Sequence, residues 1–303
     1  MLDVILQAAG LILCGVFWRV FAPQGLEAEG LRRHLTGLVY ALLLPALVLG
    51  VLWRAPMGAD TLRIVLVAAM GVCSGLGLAW LWLRRTRVSH ASVGAMLLAA
   101  AFPNATYMGL PVLEAAFGPW ARSVAIQYDL FACTPLLLSV GMYVAAYYGA
   151  TGERVHPLLS LLKVPPLWAA AAAIVLNVLQ VPQPAMLAGM LDMLGSAVVP
   201  LMLFSLGLGL QWAGGWWSRL AIVAPVAVIQ LGLVPLIAWG TASGLGLAGD
   251  LRMAVLLEAA MPSMVLGIVI CDRFRLDTPL YAMAVTVTTA LSLVTLPAWF
   301  TLS

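Results

Sequence analysis

The chain has 303 residues, of which 63% are hydrophobic and 9% charged, a balance that excludes both an ordinary soluble enzyme and a disordered chain. At roughly 20 residues per membrane-crossing helix, this length accommodates about ten spans with short connections. The net charge of +3 is small and scattered, which argues against a nucleic-acid partner.

The first apolar run, Val4–Phe21, has no basic leader before it and reaches Arg19 without a small-residue cleavage site. It reads as a retained span, because a secretory signal has the reverse order of charge. No transit peptide or tail signal is visible. Further apolar runs, bounded by charge or by Pro/Gly clusters, fall at Leu35–Trp53, Leu62–Leu83, Ala91–Phe117, Ser123–Tyr148 and Val164–Val181. The remaining ones are Met186–Leu210, Leu220–Ala242, Leu251–Ile270 and Pro279–Phe300. Each can cross a hydrocarbon core of about 30 Å as a helix, and none alternates as a barrel strand would. The expected fold class is an all-α membrane protein with ten transmembrane helices.

Eleven of the fifteen Lys and Arg residues lie in odd-numbered connections. The positive-inside rule then predicts a multi-pass protein of the cell (inner) membrane with both termini outside the cytoplasm.

The two halves carry matching landmarks in one order. Pro23-Gln24 answers Pro182-Gln183, Pro45 answers Pro200, Arg63 answers Arg219, and Gly77-Leu78 answers Gly232-Leu233. Ala101-Phe-Pro103-Asn104 answers Ala260-Met-Pro262-Ser263. A five-span repeat crosses the membrane an odd number of times, so its second copy, residues 151–303, would be inverted relative to residues 1–150. Gly149–Lys163, with Gly152, Glu153 and Arg154, is the expected hinge.

The fourth run holds Phe102-Pro-Asn-Ala-Thr-Tyr-Met-Gly-Leu-Pro111. Pro103 lacks an N–H and collides with the carbonyl one turn back, and Gly109 permits backbone angles other residues avoid. The ninth run repeats a proline, a hydroxyl neighbour and a glycine at Pro262, Ser263 and Gly267. Unwound backbone at membrane depth is tolerated only around protein or a polar cavity. An inverted pair of breaks is therefore expected to aim free N–H groups and half-helix N-termini at one site, with Asn104 and Ser263 on opposite sides of it. Pro45, Pro135, Pro200, Pro225, Pro235 and Pro297 read as ordinary kinks.

The inverted repeat and the Asn104-x4-Gly109-x-Pro111 pattern resemble the auxin efflux carrier family of permeases, in its short bacterial-type form without a long central loop. The resemblance spans essentially the whole chain. It implies that spans four and nine cross at their breaks, that substrate binds beside the crossing, and that spans one, two, six and seven form a scaffold for a transport domain made of the other six. It also implies auxin-like or small carboxylate substrates such as malonate or malate. Carried over, Pro103, Asn104, Pro262 and Ser263 take the crossing positions.

Four acids fall inside spans: Glu114, Asp129, Asp192 and Glu258. A mid-helix carboxylate costs about 2.5–3.5 kcal/mol on insertion scales, so each needs a reason. Asp129 lies about 9 Å into span five, beside Gln127. Glu258 lies one turn before Pro262. These are the candidates for coupling a proton or sodium ion, while Glu114 and Asp192 read as structural. The only asparagines are Asn104 and Asn177. Asn104 is the first choice for substrate contact, with Thr106, Gly109 and Ser263 beside it, and Asn177 reads as a helix-to-helix bond. Pro103, Pro111 and Pro262 mark the breaks.

Cys14, Cys73, Cys133 and Cys271 have no paired spacing, and His34, His90 and His156 fall in connections, so no disulfide framework, metal site or cofactor is expected. Gly71-x3-Gly75-x-Gly77 and Gly240-x3-Gly244 read as close helix approaches, and Trp18, Trp53, Trp216, Trp217 and Trp299 as interfacial anchors. The function expected is secondary transport of a small organic anion, with the lipid bilayer as a further partner and a homodimer as one open oligomeric form. A channel-like or sensor protein of the same fold is the alternative. A membrane-embedded enzyme is the least favoured, since no Ser/His/Asp set, acidic metal pair or nucleotide loop occurs.

Overall fold

The structure, a computed structural model, describes residues 2–151, 156–210 and 216–302. Among the described residues it is all helical with no strand. In chain order the helices are α1 (Leu2–Phe21), α2 (Ala28–Arg54), α3 (Ala59–Leu83), α4 (His90–Ala101), α5 (105–117) and α6 (Ala121–Tyr148). They continue as α7 (Pro157–Leu162), α8 (Pro165–Val178), α9 (Ala185–Gly209), α10 (216–244), α11 (Gly249–Ala259), α12 (Gly267–Arg273) and α13 (Thr278–Leu302). Six of these, α2, α3, α6, α9, α10 and α13, are long and apolar enough to cross a membrane. The fourth and ninth expected runs are each divided, into α4 with α5 and α11 with α12. Gly152, Glu153 and Arg154 of the expected hinge lie outside the described residues, as do the side chains of Trp216 and Trp217.

Two prolines-and-helix rules explain most of the local shape. Among the described residues there are five π-turns, and four end two residues before a proline: Val39–Leu43 before Pro45, Ala105–Gly109 before Pro111, Asp129–Cys133 before Pro135, and Ile229–Leu233 before Pro235. In each, the residue preceding proline donates its N–H five residues back, as Thr134 does to Asp129. The widened turn accommodates the ring and the missing donor without ending the helix. Pro225 and Pro297 sit inside their helices without one.

The helices pack in two groups. In the first, α1 lies along the second half of α9, and α2 packs against α8 and α9. Gly15 and Gly207 face each other so closely that a Cβ on either would run into the opposite backbone. Asn177 of α8 brings its Nδ2 within 2.8–3.2 Å of the carbonyls of Leu52, Trp53 and Ala55, closing the end of α2. In the second group α3 packs on α4 and α10, α10 on α11, α4 on α6 and α13, and α5 on α6.

Several expectations change here. α2 begins at Ala28, not Leu35, so Arg32, Arg33 and His34 belong to its first turns rather than to a connection. The bidentate Glu29–Arg32 pair, three residues apart, supports that early start. Gly71 and Gly75 are close-approach points, against Tyr128 and Ala100, but Gly77, Gly240 and Gly244 have nothing within 4 Å of a built Cβ. The reason lies in α10's rotation: Val234, Ala238 and Ala242 face the core and leave Gly240 and Gly244 outside. Trp53 is no interfacial anchor either, since it is buried and donates to the Val181 carbonyl at 2.8 Å. Trp299 donates inward to Leu231 O at 2.8 Å.

Candidate functional site

The breaks in the two divided helices are where the site forms. Pro103 disfavours helical angles at Phe102, which is extended, so α4 stops at Ala101. Asn104 then starts a new helix, its carbonyl accepting from both Met108 N at 3.1 Å and Gly109 N at 3.0 Å. On the other side α11 stops at Ala259, and the chain stays non-helical to Leu266.

The two stretches run antiparallel across each other. Asn104 N donates to Pro262 O at 2.7 Å and Met264 N donates to Phe102 O at 3.0 Å, a single bridge centred on Pro103 and Ser263. Neighbours complete the accounting: Ser263 N donates to Thr288 Oγ1 at 3.1 Å, Gln230 Nε2 to Met261 O at 2.9 Å, and Tyr281 OH to Met264 O at 2.8 Å. Irregular backbone surrounded by protein requires this kind of satisfaction. It also corrects one expectation. The amides of Asn104 and Met264 are bonded across the breaks and that of Ser263 to Thr288 of α13, so none of the three is free to hold a ligand.

Beside the crossing lies a cavity of about 90 Å³ between the two packing groups. Asn104, Thr106, Tyr107 and Asp129 line it from α5 and α6, Tyr40 from α2, Pro166 from α8, and Met264 from the second break. Such a volume holds several waters or a small ligand. Asn104 is 3% exposed, and its Nδ2 has no hydrogen-bond partner. Asp129 accepts from Thr106 Oγ1 on one oxygen and from Thr134 Oγ1, at 3.1 Å, on the other. Thr134 follows Asp129 by five residues, and the π-turn Asp129–Cys133 brings the two together.

Other expected site residues are placed elsewhere. Ser263 is fully buried, its hydroxyl donates to Ala99 O at 2.6 Å, and it does not line the cavity. The reason is the bridge geometry: pairing at Pro103 turns Ser263 toward α4 and α13 rather than toward Asn104. Gly109 faces away from the cavity, and a Cβ there would collide with the carboxyl group of Glu258. Glu258 is 0% exposed, and neither of its carboxyl oxygens has a partner. Gln127 is buried with its Oε1 unpartnered, and it is not in the cavity wall. Pro111 closes the π-turn that carries Thr106 and Gly109. Asp129 and Glu258 therefore flank one π-turn, the first at Thr106 and the second at Gly109.

Tyr40, Tyr107, Thr134 and Gln230 also belong to the cavity wall or the crossing, and no motif marks them in the sequence. Gln230 was the most findable, as a lone amide in the apolar run of α10. The two acids read as structural have cationic partners: Glu114 pairs with Arg122, and Asp192 with Arg54 at 2.9 Å. Among the described residues no group of three or more His, Cys, Asp or Glu could hold a metal, and the four cysteines are free.

Broken apolar helices, a buried polar crossing and a small cavity between two helix groups are the arrangement expected of a membrane transporter. Sequence comparison agrees. The profile of the family described as "Membrane transport protein" matches residues 10–157 and again residues 154–300, and the chain belongs to that family, the auxin efflux carrier type. Over 302 residues it is 32% identical to an uncharacterized transporter of Methanothermobacter thermautotrophicus, covering 98% of this chain and 96% of the relative. It is also 26% identical over 313 residues to an uncharacterized transporter of Methanocaldococcus jannaschii, covering 98% and 97%.

Proposed function

We propose that this protein is a secondary transporter that moves a small organic anion, a carboxylate, by alternating access at the crossing of the two breaks. The observation that carries this reading is the buried, unpartnered Nδ2 of Asn104 in the wall of a cavity. A buried donor left without a partner costs about 1–3 kcal/mol, and an anion's oxygen would relieve it. The first turn of α5, Ala105 to Tyr107, lines the same wall and contributes the positive end of a helix dipole.

Asp129 gives the coupling logic. An anion about 5 Å from an ionised Asp129 would be repelled by about 3 kcal/mol at an effective dielectric of 20. A proton or sodium ion on the carboxyl removes that repulsion, so the anion and the cation move together. Glu258, sealed behind Gly109, offers a second carboxyl for the same purpose. The matching landmarks of the two halves, with Pro103-Asn104 answered by Pro262-Ser263, support an internal duplication into two five-span repeats, residues 1–150 and 151–303, the second inverted. On this reading α1, α2, α8 and α9 are the scaffold, and the remaining helices carry the substrate. The eleven-to-four charge split supports external termini, which a reporter fusion at Ser303 scoring as cytoplasmic would refute.

Counterflow in proteoliposomes tests the function. Labelled mono- and dicarboxylates should accumulate transiently against preloaded unlabelled substrate. A channel-like protein gives flux without counterflow, and a sensor or enzyme gives neither.

A further inference from the structure

The cavity beside Asn104 has a smaller neighbour. A space of about 30 Å³ lies between Arg32, Thr36, Ser205 and Val265 and shares two wall residues, Tyr107 and Leu266, with the larger cavity. Those two residues form a partition with one member from each broken stretch. Along α2, Arg32 and Thr36 line the small cavity while Tyr40 and Leu44 line the large one. The four are spaced four residues apart, on one face of one helix, so the cavities follow each other along it. Arg32 sits roughly 12 Å of helix from Tyr40, in the first turns of α2 beside Arg33.

Among the described residues, Arg32 is the only cationic one in either wall. Its side chain is 12% exposed, whereas that of its ion partner Glu29 is 44% exposed. The guanidinium holds Glu29 through two bonds, Nε to Oε2 at 3.1 Å and Nη2 to Oε1 at 2.6 Å. This is the forked geometry in which arginine grips any carboxylate. The Glu29 carboxylate, 44% exposed and three residues along the same helix, is the loosely held partner, so another carboxylate can take its place without loss of the fork. Thr36 Oγ1 and Ser205 Oγ, 3.1 Å apart, supply hydroxyls one turn deeper.

We infer that Arg32 is an anion-receiving site at the mouth of the transport path, where an incoming carboxylate exchanges with Glu29 before passing the Tyr107–Leu266 partition to Asn104. The inference rests on the transport reading for its purpose, but its test does not need the substrate. In protein with Cys14→Ser and Cys73→Ser, a cysteine placed by Thr36→Cys reports the charge of the small cavity. Its reaction rates with an anionic (ethylsulfonate) and a cationic (ethyltrimethylammonium) methanethiosulfonate are compared. The ratio should favour the anionic reagent and should drop on the order of tenfold with Arg32→Gln, since a buried charge focuses local ion concentration by that order or more. Arg32→Lys should keep most of the ratio. Arg33→Gln, which removes an exposed charge one residue along, should change it less than about twofold. Ser205→Cys repeats the measurement from α9 if Thr36→Cys does not fold. An unchanged ratio with Arg32→Gln, an equal drop with Arg33→Gln, or no reaction at either cysteine would overturn the inference. A ratio that behaves as expected in a protein showing no counterflow of any carboxylate would instead remove the transport reading and leave the anion site standing.

Discussion

The backbone N–H of Asn104 donates to the carbonyl of Pro262 across 2.7 Å, so each helix break is held by the other. Because this bond uses the main chain, it fixes the position of Asn104 whatever its side chain does. The side-chain amide is thereby presented to the cavity without contributing to the crossing itself.

Asn104→Ala should therefore weaken anion binding while leaving the fold intact. Loss of one good hydrogen bond to a charged group corresponds to about 1.5–3 kcal/mol, or on the order of tenfold to a hundredfold in affinity. The half-saturating concentration in counterflow and the thermal stability of the unliganded protein measure the two parts separately. Wild-type affinity in this variant would move the binding site away from Asn104.

Ser263→Ala should do the opposite. Its hydroxyl bonds the Ala99 carbonyl in a fully buried setting, so the variant loses about 1 kcal/mol of stability through an orphaned acceptor. Anion affinity should stay within about threefold, well under the change a lost ligand bond produces. A large loss of affinity with unchanged stability would show Ser263 reaching the substrate after all.

The break at Asn104 is legible in the sequence while the direction of Ser263 is not, and the difference is a matter of range. Pro103 and Pro262 interrupt helices by local sterics, so both breaks are visible in the residues themselves. Which way Ser263 points depends on a bridge to a segment about 160 residues away, and no local pattern encodes that. The π-turns have a similar effect. Thr134 is one residue out of step with Asp129 on a regular helix, and only the widened turn before Pro135 aligns them. Gly240 and Gly244 have the spacing of a packing motif, but spacing does not say which face of α10 meets a neighbour. Arg32 was assigned to a connection because charge ended the apolar run; its stem is nevertheless folded into protein.

The two buried acids should behave differently when neutralised. Asp129→Asn keeps a polar group against Thr106 and Thr134 but removes the ionisable oxygen from the cavity wall. It should abolish pH- or sodium-driven accumulation and leave anion exchange largely intact, since exchange needs no net cation movement. Glu258→Gln should leave the cavity wall unchanged, because Glu258 does not line it. If Glu258 carries the coupling cation, accumulation is lost in this variant too. Full gradient-driven accumulation in both variants would make the protein a uniporter or place coupling elsewhere.

The last prediction concerns Gly109 and Glu258. Gly109 has ordinary helical angles, φ −64° and ψ −52°, so nothing in its backbone demands glycine. On propensity alone Gly109→Ala would stabilise the helix by about 1 kcal/mol. The added Cβ would, however, meet the Glu258 carboxyl group, so this fully buried side chain would have to shift within the core. Overpacking of this kind typically costs about 1–3 kcal/mol, which exceeds the propensity gain. Gly109→Ala alone should thus lower stability, whereas in a Glu258→Ala background it should be neutral or favourable. The pair should show a coupling energy on the order of 1–3 kcal/mol in a double-mutant cycle read by denaturation in detergent. The same Gly109→Ala effect in both backgrounds would mean that Glu258 does not press on the π-turn. In that case the link between the sealed acid and the cavity-lining residues of that turn, Thr106 and Tyr107, would be absent.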